Sequence, residues 1–149
     1  MSARLFRKGT LALWLLGQSC LALGLEFRSV AEPGAVLYDG PSTKSQKIFI
    51  LTAGYPVEIV VKVEGWARVR DQGGQFAWIE SSRLSDRNTV MVSGRDVEAK
   101  KAPNDNAPVA FAVEPDVYLE LIEVSAGWAN VRHADGSTGY IKIHHLWGL

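Results

Sequence analysis

Residues 57–84 read VEIVVKVEGWARVRDQGGQFAWIESSRL, and this stretch decides the fold. Val57, Ile59, Val61 and Val63 alternate with Glu58, Val60, Lys62 and Glu64. A period of two predicts a strand with one buried face. Gly65 then supplies a turn, and Trp66 to Asp71 a second strand. Gln72-Gly73-Gly74 is a tight turn, because glycine accepts positive φ without a Cβ clash. Phe76 to Glu80 returns antiparallel. Ser81-Ser82-Arg83-Leu84 predicts one helical turn that tucks Leu84 beneath the sheet.

Working outward, the same stretch recurs. Residues 119–146 read LELIEVSAGWANVRHADGSTGYIKIHHL, an ungapped copy displaced by 62 positions. Eight of the twenty positions 65–84 are identical in the second copy, among them Gly-Trp-Ala, Val-Arg and the final leucine. Trp78 meets Tyr140, and Phe49 meets Phe111. The chain therefore divides into a module at 25–87 and another at 88–149. Predicted strands in the second are Val117 to Val124, Trp128 to His133 and Thr138 to Ile143. No segment after residue 24 carries a sustained 3.6-residue apolar period. Short strands with Gly-rich turns indicate small barrels or sandwiches. Longer polar loops are expected at 39–47 and 101–107. Asn88 to Ser93 is expected both to close the first barrel and to lead into the second, leaving a short, stiff linker.

Residues 1–24 have a different character. Three cations, Arg4, Arg7 and Lys8, precede an apolar run from Leu11 to Leu23. Ala22-Leu23-Gly24 places small residues where a signal peptidase cuts. The expectation is an N-terminal signal helix at 1–24 and export to a periplasm or cell surface, with the membrane met only through an uncleaved leader. Of the 149 residues, 16 are Lys or Arg and 16 are Asp or Glu. Removing the leader leaves 13 cations against 16 acids, a formal charge of −3. Such a chain lacks the electrostatic footprint of a nucleic-acid binder. Cys20, the single cysteine, lies in the leader, so the remainder has no disulfide and no thiol nucleophile.

The run Val36-Leu37-Tyr38-Asp39-Gly40-Pro41-Ser42, with Tyr55-Pro56-Val57-Glu58, Gly65-Trp66, Val69-Arg70-Asp71, Ala77-Trp78-Ile79 and Leu84, resembles bacterial SH3-like domains. It is most similar to the tandem exported kind, whose second copy ends in Trp-Gly, as Leu146-Trp147-Gly148 does here. The resemblance covers nearly everything after residue 24. It implies an all-β protein of two SH3-like barrels in tandem, each of five or six strands. It also implies a role in binding peptides or cell-wall material. The family often carries Asn and Arg before its Gly-Pro-Ser, where this chain has Val36 and Tyr38. The second copy replaces that loop motif with Lys100-Lys101-Ala102-Pro103, so its loop need not act as the first does.

A nucleophile needs a base in reach and a group to orient that base. The three histidines, 133, 144 and 145, all fall in the second copy, and no Gly-x-Ser-x-Gly stretch occurs. Catalysis, a metal and a cofactor are therefore not expected. His144 and His145 are adjacent, so on an extended strand they would point to opposite faces.

The aromatics carry more. With Val69 and Ile79 turned to the core, Trp66, Arg68, Arg70, Phe76 and Trp78 share the opposite face. The second copy keeps Trp128, Arg132 and Tyr140 there. This predicts two aromatic–basic faces, with arginine stacked on tryptophan. Tyr38, Asp39 and Tyr55 form a second candidate set, exposed tyrosines beside an acid that suits a peptide amine. The expected partner is a peptide, a peptidoglycan fragment or an envelope protein, and no nucleic acid. The alternative is a structural subunit of an envelope complex, with the aromatic faces buried between the modules.

Overall fold

The computed structural model describes residues 24–149. The expected signal segment lies outside the described residues apart from Gly24.

The first module contains β1 (Glu26–Val30), β2 (Ala35–Tyr38), β3 (Lys47–Leu51), β4 (Pro56–Val63), β5 (Trp66–Arg70), β6 (Phe76–Glu80) and β7 (Leu84–Ser85). They form one sheet in the order β3-β2-β6-β5-β4-β1-β7. A 3-10 turn at Ser81–Arg83 joins β6 to β7, where a helical turn was expected. The second module contains β8 (Thr89–Val92), β9 (Val97–Lys100), β10 (Val109–Val113), β11 (Tyr118–Ser125), β12 (Trp128–Arg132), β13 (Thr138–Lys142) and β14 (Leu146–Trp147). Its order is β10-β9-β13-β12-β11-β8-β14, the first order shifted by seven. Each sheet thus has seven strands rather than five or six. The arms of the long loop pair with each other as β2–β3 and β9–β10, and the residues after each 3-10 turn add a two-residue strand.

Each module curls around its own core. Val30, Ala35, Leu37, Val57, Ala67, Val69, Ala77 and Ile79 fill the first. Val90, Val92, Val97, Ala99, Val113, Leu119, Ala129, Val131 and Ile141 fill the second. Leu84 and Leu146 pack against these cores from beyond the 3-10 turns.

Two expectations need correction. Val57 is fully buried, but Val61 and Val63 are exposed although they continue its alternation. The pairing of β4 with β5 shifts register between Ile59 and Val61. A bulge inserts one residue and turns everything beyond it to the other face. Residues 88–93 also do not close the first barrel. Strand β8 pairs only with β11 and β14, and the strand added beyond β1 at the edge of the first sheet is β7.

The barrels meet along a junction built from both. The Trp147 indole N–H donates to the Pro56 carbonyl at 3.3 Å. The same indole meets Phe27 edge-on, ring centroids 5.1 Å apart. Tyr55 meets Tyr118 at 5.9 Å. The Thr89 hydroxyl donates to the Gly54 carbonyl at 2.6 Å. Gly148 sits at φ 109°, and a Cβ there would lie 2.8 Å from the Thr89 carbonyl oxygen and 3.0 Å from Pro56. Only glycine fits that backbone so close to the partner barrel.

Candidate functional site

Strands β5 and β6 present the candidate side chains because their alternate residues are committed inward. Ala67, Val69, Ala77 and Ile79 are all buried. Trp66, Arg68, Arg70, Phe76 and Trp78 consequently face outward. Register sets their neighbours: Trp66 lies opposite Glu80, Arg68 opposite Trp78, and Arg70 opposite Phe76. Phe76 is half exposed.

Their chemistry differs from the expected stacking. The guanidinium over an aromatic ring is that of Arg68, and the ring is Phe76, with Cζ 4.9 Å from the centroid. Arg70 instead grips Glu58 on β4: Nε donates to Oε2 at 2.6 Å, and a second guanidinium nitrogen pairs with the same oxygen. Glu58 is buried, so Arg70 is a structural counter-ion rather than a free group.

Tyr38 is not exposed as expected. It is 7% accessible, lies opposite Trp78 in register, and sets its ring against Trp66 with centroids 5.4 Å apart and planes 82° apart. Edge-to-face packing of this kind holds the indole in place. Asp39 is also occupied, since its Oδ1 accepts the Gln46 N–H at 2.9 Å and closes the long loop. Tyr55 belongs to the junction beside Tyr118, away from Tyr38. Burial pushes the Tyr55 phenol above its ordinary value, with a hydrogen bond to the Gln72 backbone acting in the other direction. The second candidate set is therefore dispersed, with Tyr38 under the aromatic face, Asp39 in the loop and Tyr55 between the barrels.

In the second barrel Trp128, Arg132 and Tyr140 again face outward, opposite Lys142, Thr138 and Asn130. Lys142 Nζ stands 5.5 Å from the Trp128 ring centroid and 2.6 Å from Asp105 Oδ1. Arg132 pairs with Glu120 at 3.1 Å, the counterpart of Arg70 with Glu58. The position of Tyr38 is taken by Lys100, opposite Tyr140, with Nζ 2.7 Å from Glu98. A recess of about 240 Å3 opens beside Trp128, lined by Pro103, Glu123, Ser125, Asn130 and Tyr140.

His144 and His145 do not point apart. They sit in a 3-10 turn with ring centroids 4.1 Å apart, because that turn rotates successive side chains by much less than a strand does. Among the described residues, no group of three or more His, Cys, Asp or Glu side chains is placed to hold a metal. No helix among them is long and apolar enough to cross a membrane.

Sequence reasoning missed the junction residues Phe27, Tyr118 and Trp147. The Leu146-Trp147-Gly148 ending was the available signal, since an aromatic beside glycine marks a close approach of backbones.

The sequence of each module is matched by one family model. The bacterial SH3 domain model matches residues 31–86 and again 95–148. The chain belongs to the bacterial SH3 domain family, in a tandem arrangement. Domains of this family are typically binding modules. Among solved structures, the chain is similar to NlpC2 from Trichomonas vaginalis, at 19% identity and a TM-score of 0.36, over 83% of this chain and 48% of that one. It is similar to NlpC1 from the same organism, at 20% identity and a TM-score of 0.36, over 82% and 45%. A NlpC/P60 family protein from Bacillus cereus matches at 12% identity and a TM-score of 0.38, over 82% and 56%. The chain spans about half the length of these structures. No curated protein matches it.

Proposed function

We propose that this is an exported, non-catalytic binding protein of the cell envelope, whose two barrels engage a peptide or a peptidoglycan fragment through their outer aromatic faces. One observation carries this reading: Trp66 and Trp128 occupy equivalent register positions on the outer faces of the two sheets, each half-buried. A rigid aromatic platform of this kind contributes contact area at low entropic cost. The leader's pattern of cations, apolar run and small residues supports export.

The scaffolding alternative has its own support in the junction around Trp147, which fixes one barrel against the other. Its version with Trp66 and Trp128 covered by the sister barrel has no such support, because the junction uses other aromatics.

The test is retention of the full chain on purified, insoluble peptidoglycan and on immobilised envelope peptides. The wild type is expected to be retained. A folded Trp66→Ala, Trp128→Ala double variant is expected to lose about tenfold in affinity, the loss of roughly 1.4 kcal/mol. No retention on either material, or undiminished retention of the folded double variant, removes the reading.

A further inference from the structure

The two outer faces are built in the same register but not from the same chemistry. Across β2, β6, β5 and β4 of the first barrel, one row runs Tyr38, Trp78, Arg68, Val61. The equivalent row across β9, β13, β12 and β11 runs Lys100, Tyr140, Asn130, Glu123. The adjoining row is Glu80, Trp66, Val63 in the first barrel and Lys142, Trp128, Ser125 in the second. Phe76, beside the first row, corresponds to Thr138. The matched aromatics Trp66 and Trp128, and Trp78 and Tyr140, are shared, but where the first face adds Tyr38, Val61, Val63 and Phe76 the second has Lys100, Glu123, Ser125 and Thr138.

Exposure makes the difference usable. Val61, Val63 and Phe76 are 44%, 43% and 50% accessible. Exposed apolar side chains grouped around one arginine on a sheet face mark a contact surface. Charge says what would cover it. Arg70 is held by Glu58, and Glu80 lies 3.8 Å from Arg83. Arg68, in the middle of the group and stacked on Phe76, has no carboxylate within 4 Å among the described residues. In the second barrel the lysines of the face are already matched, Lys100 by Glu98 and Lys142 by Asp105.

Resting on the binding role proposed above, we infer that the first barrel's outer face takes an extended polypeptide segment in which apolar side chains flank a carboxylate. The carboxylate meets Arg68, and the apolar groups lie on Val61, Val63, Phe76 and Trp78. A guanidinium backed by an aromatic ring offers a planar fork to a carboxylate, which fixes register as well as adding attraction. The second barrel's face does not share this specificity. A second copy of the chain is disfavoured as occupant, because a two-fold contact centred on this group would bring two Arg68 guanidinium groups together.

The test is selection of a random twelve-residue peptide library on the full chain, followed by affinity measurement with the selected peptides. The expected result is enrichment of sequences with Asp or Glu between apolar residues. Their affinity is expected to fall at least tenfold for Arg68→Glu, to fall for Phe76→Ser, and to be unchanged for Arg95→Glu, an exposed site in the turn before β9 and off both faces, with circular dichroism confirming that all three fold. Enrichment without acids, unchanged affinity for folded Arg68→Glu, or an equal loss for Arg95→Glu overturns the inference. So does a dimer of the wild type that Arg68→Glu disperses, which makes a second copy the occupant. If no peptide is selected yet peptidoglycan still retains the chain, this inference falls and the binding role stands. If neither binds, both fall.

Discussion

At the scale of single residues, the paired positions of the repeat act as internal controls. Arg70 and Arg132 stand at the same place and reach the same strand neighbour, Glu58 or Glu120. They differ in burial, since Glu58 is enclosed whereas both partners of the second pair are about half exposed. Removing Arg70 leaves a carboxylate unpaired in a dry place, whereas removing Arg132 leaves one in water. Arg70→Ala is expected to cost about 1–3 kcal/mol in urea unfolding, and Arg132→Ala less than about 1 kcal/mol. Equal costs would contradict this assignment. His145 gives a second residue-scale prediction. Partial burial, and then the nearby His144 and Lys142, hold its imidazole below the ordinary value of 6.5. The unfolded chain therefore takes up the proton more readily, and stability falls as pH drops through that ordinary value. The fall levels off below the folded-state value. Unfolding midpoints measured from pH 8 to pH 5 are expected to show a drop that His145→Gln reduces.

At the scale of elements, the repeat shows one packing problem solved twice. The first barrel fills its interior with Leu37 on β2 and Ala77 on β6. The second has Ala99 and Gly139 at those places and packs Phe111 of β10 against its core instead. Phe49, the counterpart of Phe111, is left 46% exposed on β3 because Leu37 already occupies the space. A Cβ on Gly139 would lie 2.8 Å from the Ala99 Cβ and 3.3 Å from the Phe111 ring. Gly139→Ala is expected to destabilise the second barrel by about 1–3 kcal/mol, read by denaturant unfolding. A neutral result would mean that Phe111 is not held there. The strands themselves were legible from the period-two pattern and the Gly-rich turns. The faces were legible on β5 and β6, where Ala67, Val69, Ala77 and Ile79 bury in strict alternation. They were not legible beyond Ile59, because a bulge leaves no mark in a run such as Ile59-Val60-Val61, whose residues suit either side. Tyr38 likewise carried no sequence sign of burial, since its position depends on where the Trp66 ring comes to rest.

At the scale of the whole molecule, two barrels that each close their own core are joined by side chains from opposite ends of the sequence. Trp147 of β14 reaches Pro56 and Phe27, and Tyr118 reaches Tyr55. The modules were visible in the 62-residue repeat, but the junction was not, because it depends on how the repeats dock. Calorimetry of the wild type is expected to show one unfolding transition. Trp147→Ala is expected to separate it into two, because the junction loses its largest shared side chain. A single transition in both proteins would show that Trp147 does not couple the barrels.

The most direct test of the account is the response of the tryptophan indole N–H signals in a nitrogen-15 NMR titration of the full chain. The titrants are soluble peptidoglycan fragments and the acidic–apolar peptides selected above. The account predicts that Trp66 and Trp78 shift with the peptides and Trp128 with at least one of the titrants. Trp147, whose N–H is held by Pro56, stays in place. Indoles that stay still with every titrant, or a response confined to Trp147, would contradict the claim that the outer faces are where this protein binds.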